Sequence, residues 1–121
     1  ALKNDEHPKV GAGAALFSSV GCAKCHLPDL GGVHGFTNLL LHNVMPPGFR
    51  GMAEPGADVG FYRTSPLFGI SETAPYMHDG RAADLGAAIL AHDGEAAGVR
   101  ANYQALTASE QSSLLFFLKS L

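Results

Sequence analysis

The run Gly21-Cys22-Ala23-Lys24-Cys25-His26-Leu27 decides how the rest of the chain is read. Its two cysteines are the only two in 121 residues. They are too close together to staple a large loop. Cys-x-x-Cys implies a redox dithiol, half of a metal site, or covalent attachment of a haem, and a following histidine selects the last. A thioredoxin-like dithiol calls for a surrounding βαβ pattern, which the sequence does not show. A structural zinc site calls for two further ligands at a second knuckle, and there is no second cysteine pair. Cys-x-x-Cys-His is the attachment signature of a c-type haem: two thiols add across the porphyrin vinyl groups, and the next imidazole falls under the iron. Cys22 and Cys25 are therefore expected to hold one haem c through two thioethers, with His26 as an axial ligand.

Upstream of the motif, residues 9–21 read as a helix of small residues. Ala12, Leu16 and Val20 lie on one stripe, and Gly13 and Phe17 are one turn apart. Residues 1–8 are polar and read as a loose arm, leaving 9–121 as one domain. Downstream, 27–36 is turn-rich and 37–42 suggests a short helical turn around Leu39-Leu40-Leu41. Residues 43–75 hold no sustained period and are crowded with Gly and Pro. So long an irregular stretch is unusual in a small domain unless it wraps a large cofactor. Asp84 reads as the N-cap of a helix from Leu85 to His92, stopped by Asp93-Gly94. Residues 95–106 are a polar helical segment or turn. Thr107 and Glu110 form a capping box ahead of a final helix through Leu114-Leu115-Phe116-Phe117-Leu118. His-Asp-Gly occurs twice, at 78–80 and 92–94, too closely spaced to be a packed repeat. The expected fold is all-α: three to five helices around one covalent haem, with long loops.

Composition closes off other classes. The chain carries 8 basic and 11 acidic side chains, a net charge of −3, and no basic run, which argues against nucleic acid. Its longest strongly apolar stretch, Leu114 to Leu118, is far short of a membrane span. The opening Ala1-Leu2-Lys3-Asn4 suits a mature start after cleavage behind small residues.

Gly13, Phe17 and Cys22 are spaced as in the first helix of class I cytochromes c, which the sequence resembles. In that family the glycine lets the terminal helices cross closely, and Phe116 or Phe117 would fill the contact. Arg63-Thr64-Ser65-Pro66-Leu67-Phe68-Gly69 and Thr73-Ala74-Pro75-Tyr76-Met77-His78-Asp79-Gly80-Arg81 resemble the second haem domain of bacterial di-haem cytochrome c peroxidases. They are more similar still to the related di-haem oxidoreductases. That branch also has counterparts of Asn38-Leu39-Leu40-Leu41-His42-Asn43, of Ala88 to Ala96, and of the Leu106 to Leu121 helix. The resemblance covers residues 11–121. It departs at one point: those enzymes carry at least two haem motifs, and this chain has one.

The second axial ligand is open among Met45, Met52, Met77, His7, His34, His42, His78 and His92. His92 is favoured. It shares a helical face with Leu85, Ala88 and Ile89, and the resemblance implies a distal ligand fourteen residues past the first His-Asp-Gly histidine. Met77 is the alternative. Met45 follows His26 by only nineteen residues, a short path around a porphyrin. Arg63 and Arg81, ahead of Arg50 and Arg100, are candidate partners for the haem propionates, since guanidinium suits carboxylate. With two protein ligands the iron has no vacant position, so one-electron transfer to a redox partner protein is the expected function. The rival is a haem domain or subunit of a di-haem peroxidase or oxidoreductase. A five-coordinate sensing haem is a third reading. Because c-type haem is attached outside the bacterial cytoplasm, the expected compartment is the periplasm.

Overall fold

Two helices from opposite ends of the chain cross at a glycine and carry the core. The computed structural model describes residues 7–121, so most of the expected 1–8 arm lies outside the described residues. Helix α1 spans Pro8–Val20. Pro8 suits its first turn, where an N–H has no helical partner, and His7 Nδ1 accepts the Lys9 N–H at 3.2 Å. Helix α4 spans Ala108–Ser120 and starts at the expected capping box: Thr107 Oγ1 accepts the Glu110 N–H while the Glu110 carboxylate accepts the Thr107 N–H.

A methyl group placed on Gly13 would lie 2.2 Å from the Ser113 carbonyl oxygen and 2.4 Å from Phe117 Cβ. Only a residue without a side chain allows the helices to approach this closely. Around the crossing, Val10, Phe17 and Val20 pack with Leu114, Phe117, Leu118 and Leu121. The buried stripe of α1 is therefore Val10, Gly13, Phe17 and Val20. The expected stripe placed Ala12 inside; it is exposed, because the stripe must pass through the crossing glycine. Phe17, Phe36 and Phe117 meet edge to face, with centroids 5.4–6.1 Å apart.

Between these helices lie α2 (Leu85–Leu90) and α3 (Ala97–Gln104). Asp84 caps α2 as expected, its carboxylate accepting the Ala87 N–H at 2.7 Å. Helix α3 adds Tyr103 to the core, and its Asn102 amide donates to the Val20 carbonyl at the C-terminus of α1.

Two expectations fail locally. The fold is mostly helical but not wholly so: β1 (Leu41–Asn43) pairs antiparallel with β2 (Phe61–Arg63), with His42 opposite Tyr62. This ladder replaces the helical turn expected around Leu39-Leu40-Leu41. Side chains outcompete the helix there: Thr37 Oγ1 accepts the Leu39 N–H, Asn38 Oδ1 accepts the Leu40 N–H, and Leu39 adopts a left-handed φ of 59°. Gly94 has the left-handed backbone expected of it, φ 54°, yet it opens the short 3₁₀ turn Gly94–Ala96 after Asp93 rather than closing the preceding helix. Among the described residues, no helix is long and apolar enough to cross a membrane.

Candidate haem site

The attachment motif follows α1 directly. Gly21, at φ 114°, ends the helix and lets the chain turn into a single 3₁₀ turn, Cys22–Lys24. The Cys22 carbonyl accepts both the Cys25 N–H at 3.3 Å and the His26 N–H at 2.9 Å. Both thiols are free. Cys22 packs against the core, and burial pushes its thiol up to about 11. Cys25 is also raised, first by burial and then by the Glu95 carboxylate.

His26 Nδ1 lies 3.0 Å from the Phe36 carbonyl oxygen, so Nδ1 carries the proton and Nε2 the lone pair. The edge-to-face cluster with Phe17 and Phe117 holds Phe36, and through it the orientation of the imidazole. Burial pulls the His26 pKa down to about 4, and the electrostatic influence of His92 and His42 acts in the same direction, against the backbone carbonyls of Phe36 and Ser65. The ring is thus neutral at pH 7, the state a metal ligand requires.

His92 stands just past α2, which ends two residues earlier than expected. The expected face survives: Leu85 and Ala88 are buried, Ile89 and His92 half-buried. The His92 N–H closes on the Ile89 carbonyl, and Nδ1–H donates to the Ala88 carbonyl at 2.7 Å. His92 therefore has the same tautomer as His26, with Nδ1 on a backbone oxygen and the lone pair on Nε2.

The other candidates are placed differently. His42 has both ring nitrogens engaged, one by Asn38 and one by Glu95. His78 stacks on Tyr62 at 4.0 Å and meets Phe49 edge-on. His34 is exposed and pairs with Asp29, and His7 caps α1. Met77 is half-buried with a left-handed φ of 69°, Met45 is buried, and Met52 is 84% exposed. Arg63 donates to the Leu39 carbonyl. Arg81 is spent on a two-pronged bond to Asp79 and on the Phe49 ring face, 5.2 Å away. Arg100 pairs with Asp93 at 3.1 Å, and Arg50 is exposed.

Sequence reasoning gave no role to Asn38 or Glu95. The structure brings both to His42, beside the attachment loop. The signal was present only as membership of two family-like segments.

The family model described as "Di-haem oxidoreductase, putative peroxidase" matches residues 1–121. The chain belongs to this di-haem oxidoreductase family. A solved structure titled as a MauG-like protein associated with microbial copper homeostasis is 26% identical, with a TM-score of 0.64. The match covers 95% of this chain and 47% of that one, so this di-haem oxidoreductase chain spans about half the length of that structure. No curated protein matches the chain. The residues present fit a c-type haem on their own chemistry: two free thiols one turn apart, and two imidazoles whose Nδ1–H groups rest on backbone carbonyls, leaving Nε2 to ligate.

Proposed function

We propose that this chain is an electron-transferring haem domain of a di-haem oxidoreductase, with one haem c bound through Cys22 and Cys25 and held axially by His26 and His92. The observation that carries the reading is the matched hydrogen bonding of the two histidines: each donates Nδ1–H to a backbone carbonyl, which makes Nε2 the nitrogen able to ligate. The single motif by itself favours a free-standing carrier. The family match over the whole chain and the half-length coverage of the structural neighbour favour a domain or subunit that works with a second haem centre.

Bound here, haem supplies a one-electron iron couple. The chain's residues fix its surroundings. Phe36 orients the proximal ring, Ala88 the distal ring, and the core beside Cys22 keeps water from that edge. Two imidazole ligands predict a lower potential than a His/Met pair, since thioether ligation raises it. Arg63, on the strand beside Leu39, is the better placed of the two arginines for a propionate, because Arg81 is already paired. The redox partner is a second haem centre, and the periplasm is the compartment.

The test is the optical and EPR spectrum of the haem-loaded protein. Wild type should be low-spin in both oxidation states with no far-red sulfur-to-iron band. His92→Ala should turn the ferric protein high-spin, and Met77→Leu should leave it unchanged. A far-red band lost in Met77→Leu would transfer the distal position to Met77. Rapid peroxide turnover by this chain alone would make it a self-sufficient enzyme.

A further inference from the structure

Helix α2 is only six residues long, and His92 lies beyond its end. The helix end holds His92 through its N–H on the Ile89 carbonyl and its Nδ1–H on the Ala88 carbonyl, and the residues just after it fix where that end lies. Arg100 holds the Asp93 side chain within the same region, and apart from that ion pair the bonds by which residues 93–95 reach the rest of the chain run to one place, segment 42–45. The Asp93 N–H donates to the Val44 carbonyl at 2.8 Å. The Glu95 carboxylate accepts the Asn43 N–H at 2.5 Å and faces His42 Nδ1 at 3.2 Å. Gly94 is pressed against the same strand: a Cβ there would lie 2.5 Å from the Asn43 carbonyl oxygen.

That strand is anchored at its other end to the attachment motif. The Asn38 N–H donates to the Cys25 carbonyl at 2.8 Å. The Asn38 side-chain amide lies 3.1 Å from His42 Nε2. Directions in this chain of bonds are forced. Asn38 Oδ1 is committed to the Leu40 N–H, so its NH₂ group must face His42 and donate. His42 Nε2 therefore accepts, its proton is on Nδ1, and Nδ1–H donates to Glu95. His42 thus links the motif side of the site to the turn that carries His92.

Resting on the two-histidine reading above, we propose that His42 and Glu95 are positioning residues for the distal ligand, holding His92 in place by bridging the Cys25 loop to the 92–95 turn. Neither touches the iron in this proposal. Glu95 does two jobs that no neutral side chain can do together, since it accepts from both Asn43 and His42. Gln in its place offers one oxygen and one NH₂ group, and the NH₂ group meets a donor. Leu in place of His42 removes the link to Asn38 as well.

The experiment uses the haem-loaded protein and reads ligation rather than activity. Ferric spin state, cyanide affinity and reduction potential are measured for wild type, Glu95→Ala, Glu95→Gln, His42→Leu and His92→Ala, with a thermal melt of each. Glu95→Ala and His42→Leu should show a high-spin fraction and cyanide affinity raised on the order of tenfold, the equivalent of one hydrogen bond to a carboxylate. Glu95→Gln should fall between them and wild type. If Glu95→Ala fails to accumulate haem, Glu95→Gln and His42→Leu give the same reading. The proposal is overturned if these variants lower Tm but keep the wild-type spectrum, potential and cyanide affinity while His92→Ala opens the iron. If His92→Ala itself leaves the spectrum unchanged, the axial assignment has failed instead.

Discussion

Two alanine substitutions, two residues apart on different sides of α1, should move stability in opposite directions. Alanine in a helix interior is favoured over glycine by about 1 kcal/mol. Gly11 is exposed and a Cβ there meets nothing within 4 Å. Gly11→Ala should therefore stabilise the protein by about 0.5–1 kcal/mol. At Gly13 the same methyl group meets the Ser113 oxygen at 2.2 Å and Phe117 Cβ at 2.4 Å, over an ångström inside ordinary contact. One obstacle is backbone and the other is the root of a side chain, so neither yields by a rotamer change. The helices must part, at an overpacking cost of about 1–3 kcal/mol or more. The helix-propensity gain offsets only part of that. Because both variants share the propensity gain, they should differ by that overpacking cost, about 1–3 kcal/mol or more, a Tm gap of roughly 4–12 °C at this chain length. Thermal unfolding of the haem-loaded proteins, followed by far-UV circular dichroism, measures the gap directly. If Gly13→Ala melts at or above wild type, α1 and α4 do not cross at this residue.

Further tests address the site and its surroundings. Wild type should keep its colour through denaturation and organic extraction, with a mass of chain plus one haem, whereas Cys22→Ala and Cys25→Ala should mature poorly; a colourless, folded wild type containing zinc would refute covalent attachment. The hydrogen bonds from Arg81 hold the Asp79 carboxyl down at about 2. With its folded pKa depressed, Asp79 favours the native state above the ordinary carboxylate pKa, near about 3.9, and loses that contribution as pH falls through the folded value. Arg81→Gln should let Asp79 titrate near the ordinary value in a carboxyl ¹³C NMR experiment, and an unchanged low value would show that Arg81 is not the cause. Thr107→Ala should destabilise by about 1 kcal/mol through loss of the helix cap, and Thr107→Ser should restore most of it in the same denaturation assay.

What the sequence discloses follows how local each determinant is. Cys22 to His26, the Asp84 cap and the Thr107–Glu110 box all act within five residues, and each is found where its pattern places it. Gly13 was legible only through the cytochrome c resemblance carried by its spacing to Phe17 and Cys22, since its contact lies a hundred residues away. The Leu39–Leu41 segment was misread because the ladder that claims it comes from Phe61–Arg63, and because Thr37 and Asn38 bond locally to the backbone. Glu95 was passed over for a similar reason: its partners, His42 and Asn43, are 53 and 52 residues distant. Arg81 looked like a free cation for a propionate, yet Asp79, two residues before it, was in plain view. The two His-Asp-Gly runs share a left-handed glycine and little else, since one histidine stacks on Tyr62 and the other bonds back to Ala88.

The close crossing of α1 and α4 also imposes an order of events on the sulfur chemistry. The contact joins residues about a hundred positions apart, so it cannot exist until the last helix of the chain is present and has docked. Until then Cys22 is an ordinary thiol in water. Once the helices close, the same sulfur is packed against the core and its proton is held to about pH 11. The thiolate is the reactive form of cysteine. The attachment proposed at Cys22 is therefore favoured on a chain whose last helix has not yet docked, and docking then packs the half-buried sulfur against the core.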